Sequence, residues 1–168
     1  MIRGIQHCAL VVSDLDRSRR FYGGSLGLVE VERPSSFAFG GAWFRAGTDE
    51  VHLILEGDTT MPAGAAEAGQ ALRVGLVTHL ALEVDDLGGT IARLREHGVE
   101  IGGGPMPRGD GVDQAFVLDP DGYVIEVFER TGADQADAPR RMPVRAGQEP
   151  ADHLARKPPS TGITAPVT

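Results

Sequence analysis

Three histidines and a glutamate stand where this chain repeats itself. His7-Cys8-Ala9-Leu10-Val11-Val12-Ser13-Asp14-Leu15 returns as His79-Leu80-Ala81-Leu82-Glu83-Val84-Asp85-Asp86-Leu87, with six identities at a constant offset of 72. A second echo pairs Ala42-Trp43-Phe44 and Val51-His52-Leu53 with Gln114-Ala115-Phe116 and Ile125-Glu126-Val127. Each repeat therefore carries one ligand-type side chain near its start and one near its end. Imidazole and carboxylate bind borderline divalent cations, and both move protons near neutral pH. His7, His52, His79 and Glu126 are read as the ligands of one metal site, with Glu126 and His52 also the candidate acid/base groups. A two-fold arrangement of the repeats would bring all four to one point.

Positioning them requires strands. Residues 5–12 form an apolar β-type run, and Ser13-Asp14 offers an N-cap for a helix through Leu15, Ser18, Tyr22 and Leu26 that stops at Gly27. Strands near 28–33, 37–46 and 50–56 follow. Residues 57–77 read as a connector. The pattern restarts with a strand at 78–84, a helix near 86–97 ending at Gly98, and strands near 99–102, 112–118 and 123–129, with Asp119-Pro120-Asp121-Gly122 as a hairpin turn. Each half is then βαβββ. Gly102-Gly103-Gly104-Pro105 to Gly111 reads as a flexible rim rather than a phosphate cradle, because it leads into a strand and not a helix. Periodicity ends near residue 131, and the proline-rich stretch 131–168 is expected to be poorly structured.

Side chains alternate along a strand, so parity assigns faces. His7 shares a face with Ile5, Ala9 and Val11, opposite Leu10 and Val12. His79 shares a face with Ala81 and Glu83, opposite Leu80, Leu82 and Val84. His52 lies with Glu50, Ile54 and Glu56; Glu126 lies with Val124 and Phe128. In all four strands the ligand-type residue is opposite the face suited to helix packing. Glu50, Glu56 and Glu83 are further candidate bases. One of Trp43 and Phe44 is expected to line the cavity and the other to pack outward.

The bulk numbers narrow the functions. With 168 residues the chain holds one core, spanning 1–130 as modules 1–56 and 78–130, and no separate substrate domain. The net charge of −8 argues against nucleic-acid and anionic-membrane partners. A single cysteine, Cys8, closes no disulfide within the chain. No apolar run approaches the roughly 20 residues that span a bilayer, and the start lacks the order of a signal peptide, so the cytoplasm is expected.

Over residues 3–130 these motifs resemble the vicinal oxygen chelate superfamily: the His7–Val12 strand with Ser-Asp-Leu-Asp-Arg-Ser, Phe21-Tyr22, Glu50-Val51-His52-Leu53, the His79–Leu87 repeat, and Asp119-Pro120-Asp121-Gly122-Tyr123-Val124-Ile125-Glu126. That superfamily includes glyoxalase I, methylmalonyl-CoA epimerase, extradiol dioxygenases, and fosfomycin and bleomycin resistance proteins. The resemblance implies an α+β fold of two βαβββ modules forming an eight-stranded incomplete barrel, with one divalent ion (Fe, Mn, Ni, Co or Zn) in its mouth. His52 departs from the pattern, since glyoxalase I typically has a carboxylate there and the epimerase a neutral amide.

The expected activity is that of a metal-dependent, glyoxalase-type lyase or isomerase acting on a small substrate chelated through adjacent oxygens. An Fe(II) extradiol-type dioxygenase is the alternative, using His7, His79 and Glu126 as ligands and His52 as a neighbouring acid/base. A non-enzymatic drug- or metabolite-binding resistance protein is a third reading. A homodimer is expected, with the barrel closed within one chain or by exchange of modules between two.

Overall fold

The computed structural model describes residues 1–64 and 77–132; the greater part of the 57–77 connector and nearly all of the 131–168 tail lie outside the described residues. Two mixed four-stranded sheets repeat one topology. The first contains β1 (His7–Val12), β2 (Val29–Val31), β3 (Gly41–Ala46) and β4 (Asp49–Leu55) in the order β1-β4-β3-β2. The second contains β5 (His79–Glu83), β6 (Ile101–Pro107), β7 (Val112–Leu118) and β8 (Val124–Arg130) in the order β5-β8-β7-β6. The first and last strand of each half pair in parallel, and the remaining pairs are antiparallel. Among the described residues the two sheets share no strand pairing, so they do not close on one another.

A helix crosses from the first strand of each sheet. α1 (Leu15–Arg19) begins at Asp14, whose carboxylate accepts from the Arg17 amide at 2.9 Å. α2 (Leu87–Glu96) begins at Asp86, which accepts from the Gly89 amide at 2.8 Å. Leu87, Ile91 and Leu94 form its buried stripe. The continuous first helix expected to Leu26 instead widens into a π-helical segment at Arg20–Ser25, closed by the Leu26 amide on the Phe21 carbonyl at 2.9 Å. Both Phe21 and Tyr22 are buried in this segment, and Tyr22 Oη donates to Asp119 in the other half at 2.8 Å.

Three other expectations shift. Residues 37–39 precede β3 instead of belonging to it, and Glu56 opens a 3-10 turn (Glu56–Asp58) beyond β4. The glycine-rich segment is largely strand: Gly102–Gly104 lies in β6, paired irregularly with β7. At Gly104, φ is +80° and a Cβ would approach the Gln114 carbonyl to 2.5 Å, so only glycine lets the strands meet there.

One hydrophobic core serves both halves. Leu10, Val12 and Leu53 share it with Leu94, Val117, Ile125 and Val127. Polar bonds between the halves border it: Ser13 Oγ donates to Asp121 at 2.6 Å, Tyr123 Oη to the Val11 carbonyl at 3.1 Å, and Arg93 to the Ser25 and Leu26 carbonyls at 3.0 and 2.8 Å. Because the apolar faces of both sheets turn toward this core, the alternate faces carrying the histidines turn away from it. Among the described residues, no helix is long and apolar enough to cross a membrane.

Candidate metal half-sites

The register reproduces the sequence repeat. Ala9 opposes His52 across β1 and β4, as Ala81 opposes Glu126 across β5 and β8. Trp43 opposes His52 on the other side, as Phe116 opposes Glu126. His7 and His79 sit two residues before the paired alanines, so each returns to the face of its partner ligand.

In the first half, the His7 and His52 rings stack with centroids 4.3 Å apart and planes within 10°. Trp43 covers the other face of His52 at 4.0 Å and 2°. Phe37 meets Trp43 edge-on, and Phe39 meets Phe37 likewise. These rings, with Gln6, Ala9 and Ile54, line a cavity of about 390 Å³, a volume suited to a small ligand. Trp43 thus takes the cavity side and Phe44 the buried side, packed against Tyr22.

The imidazole partners fix the tautomers, since a carbonyl or carboxylate oxygen can only accept. His7 Nδ1 donates to Gln6 Oε1, leaving Nε2 as its lone-pair nitrogen. His79 Nδ1 donates to the Val77 carbonyl at 2.7 Å. His52 is reversed: its Nε2 donates to Glu50 Oε2 at 2.7 Å. Accepting that bond holds the Glu50 carboxyl below the usual carboxylate range.

In the second half, His79 Nε2 lies 2.8 Å from Glu126 Oε2, and the Phe116 edge packs against the His79 ring. With Nδ1 committed to the Val77 carbonyl, that contact requires a proton or a metal ion at Nε2, because a carboxylate oxygen can only accept. Glu126 is only 2% exposed, yet its other oxygen accepts from Arg108 Nη1 at 3.0 Å.

The four expected ligands thus occur as two pairs, His7 with His52 and His79 with Glu126. Among the described residues, no group of three or more histidine, cysteine, aspartate or glutamate side chains lies close enough to hold an ion. Each pair suits part of a coordination sphere for a borderline cation; one chain does not bring the two parts together. Of the other candidates, Glu83 is an exposed rim carboxylate paired with Arg130 at 2.9 Å. His97 is the C-cap of α2. Cys8, half-buried, packs against the core.

Gln6, Val77 and Arg108 were not among the expected site residues. Gln6 had a signal, standing next to His7; a backbone carbonyl has none, and Arg108 lies in the rim segment with no local pattern pointing to Glu126.

The profile of the Glyoxalase/Bleomycin resistance protein/Dioxygenase superfamily matches residues 4–127. The chain is 30% identical to the lactoylglutathione lyase of Salmonella typhimurium over 131 residues, covering 76% of this chain and 93% of that relative. It is 27% identical to Glyoxylase I 4 of Arabidopsis thaliana over 128 residues, 75% of this chain and 70% of the relative. The crystal structure of a glyoxalase family protein from Bacillus anthracis superposes with a TM-score of 0.61 at 27% identity, covering 77% of this chain and 97% of that one.

Proposed function

The chain belongs to the Glyoxalase/Bleomycin resistance protein/Dioxygenase superfamily, and from that premise we propose that it is a metal-dependent lyase of the glyoxalase type, active as a homodimer. The observation that carries this reading is His79 Nε2, with Nδ1 committed to the Val77 carbonyl, aimed at a buried carboxylate oxygen 2.8 Å away. His7 is prepared in the same way by Gln6. In the proposed dimer the His7–His52 pair of one copy faces the His79–Glu126 pair of its partner, as exchange of modules allows. The histidine-bearing faces already turn away from the core of their own chain, which leaves them free to meet a second copy.

His7, His79 and Glu126 would hold the ion, which when bound supplies Lewis-acid polarisation of adjacent substrate oxygens. His52 is then the group that moves the proton. Its Nε2–H is committed to Glu50, so Nδ1 carries the lone pair that can accept a proton from a substrate carbon next to a carbonyl. The Glu50 carboxylate stabilises the imidazolium that results, and the flanking His7 and Trp43 rings keep the His52 plane fixed. Glu126 is the second candidate base. Phe37, Phe39 and Trp43 exclude water from the cavity and favour an apolar substituent on the substrate.

The same arrangement also accommodates the Fe(II) dioxygenase reading, because His52 backed by Glu50 is an acid/base beside a two-histidine, one-carboxylate set. Oxygen consumption with catechols on the Fe(II)-loaded protein distinguishes the two, since the lyase consumes none.

The decisive experiment measures divalent metal content, sedimentation behaviour and S-lactoylglutathione turnover on one preparation. The expected result is a dimer with stoichiometric metal and turnover abolished by chelation. A protein that takes up no divalent ion sinks the proposal. Retained small-ligand affinity after His7→Ala plus Glu126→Ala, with no turnover before or after, favours a binding protein instead.

A further inference from the structure

Glu126 does not choose its own orientation. Arg108 lies in the turn between β6 and β7, where its amide donates to the Val112 carbonyl at 2.8 Å. Its guanidinium is held on three sides. Nε and Nη2 fork onto Asp110, with N···O distances of 3.0 to 3.2 Å. The ring of Phe128, two residues along β8 from Glu126 and on the same face, supports the guanidinium at 5.2 Å. Nη1 then reaches Glu126 Oε1 at 3.0 Å. An arginine merely neutralising surface charge would need only Asp110; this one is braced by two groups while it holds a third that is almost fully buried.

The two Glu126 oxygens therefore have separate partners: Oε1 belongs to Arg108 and Oε2 faces His79 Nε2. We infer that Arg108 is a positioning residue that ties up Oε1 so that Glu126 presents Oε2 alone toward the proposed metal. Arginine suits this task because its rigid fork engages Asp110 and Glu126 in one plane, whereas a lysine supplies only a point charge. Outer partners of this kind orient a ligating carboxylate, and their removal typically weakens metal binding about 10- to 100-fold.

This inference rests on the metal-centre reading, and the experiment separates the two. Wild-type, Arg108→Met, Arg108→Lys and Asp110→Asn proteins are titrated with Co(II), following both affinity and the visible absorption of the bound ion. The expected result is a Kd raised about 10- to 100-fold in Arg108→Met, a partial recovery in Arg108→Lys, and a smaller loss in Asp110→Asn. A changed absorption envelope is expected in Arg108→Met, because both Glu126 oxygens become available. Thermal melting of the metal-free proteins checks that each variant is folded; the half-exposed Asp110 variant tests the point even if Arg108→Met melts early. A Co(II) affinity and spectrum unchanged in Arg108→Met and Asp110→Asn overturn the inference while leaving the metal centre standing. A tighter Kd also overturns it, since Arg108 would then compete with the ion for the carboxylate. No Co(II) uptake by folded wild-type protein removes the metal-centre reading and the inference together.

Discussion

The rings of Trp43 and His52 lie parallel, with centroids 4.0 Å apart and planes within 2°. Trp43 is the only tryptophan in the chain, so its emission reports the state of one imidazole and of the cavity beside it. Titration with Ni(II), a paramagnetic quencher, is expected to quench that emission saturably, with the same midpoint as direct metal-binding measurements. His52→Ala should change the starting emission, since the stacked partner is lost, while retaining the quench if His52 is an acid/base neighbour and not a ligand. Emission that stays constant while Ni(II) demonstrably binds would place the ion away from this cavity.

Much of this arrangement was legible in the sequence because it rests on local rules. The offset of 72 between His7 and His79 set the repeat, and strand parity put His7 with His52 and His79 with Glu126 on shared faces, as the register has them. The cap of the first helix was legible for the same reason, with Asp14 and not Ser13 taking it; the matching cap at Asp86 is a structural finding. What escaped depends on packing. The π-helical widening at Arg20–Ser25 accompanies the burial of two adjacent aromatics, one of which bonds to a residue 97 positions away. The role of Arg108 was not legible because nothing in its sequence neighbours announces Glu126, 18 positions later. Parity assigns faces within a sheet, but the shared core between the sheets decides where those faces point, and it separates the two pairs within one chain.

The Tyr22–Asp119 bond should act as a polar clasp between the halves. Tyr22 is fully buried and Asp119 is 4% exposed. Asp119 Oδ1 also accepts from the Asp121 and Tyr123 amides at 2.9 and 2.8 Å. Tyr22→Phe removes one donor from a buried carboxyl and is expected to cost about 2 kcal/mol in urea unfolding. Burial raises the Asp119 carboxyl above its ordinary range, so its ionisation opposes folding. Stability from this group is greatest at low pH and falls as pH rises from the ordinary carboxylate range through the raised folded value. Tyr22 offsets that loss by donating to the anion. The gap between wild type and Tyr22→Phe should therefore be wider at neutral pH than below the carboxylate range; an equal gap at both would show that Asp119 stays protonated when folded.

Asp121 joins the halves at the opposite side of the same turn. It accepts from Ser13 Oγ at 2.6 Å, from the Ser13 amide at 3.3 Å and from Arg17 at 2.9 Å. Its side chain is buried while Arg17 is largely exposed, so the ion pair itself contributes little and the hydrogen bonds from Ser13 contribute most. Asp121→Ala is expected to lower stability by about 1–2 kcal/mol, and Arg17→Ala by less than about 1 kcal/mol. Chemical denaturation of both variants at low and high salt tests the split. A larger loss for Arg17→Ala, or one that vanishes in salt, would reverse the assignment.

Gly104 allows a prediction in which backbone strain and steric clash can be separated. Its φ of +80° penalises any side chain, and its Cβ position meets the Gln114 carbonyl at 2.5 Å, in the strand that places Phe116 against His79. Gly47 has a similar φ of +64° but open space around its Cβ position. Gly47→Ala should therefore cost only the conformational penalty, about 1 kcal/mol. Gly104→Ala carries that penalty and must also push β6 from β7, so a loss of at least about 3 kcal/mol is expected. The same displacement would shift Arg108, which follows β6 directly, and weaken its hold on Glu126. Equal losses for the two substitutions, measured by thermal and urea unfolding, would mean that the strands yield at Gly104 without cost and that β6 does not fix the position of Arg108.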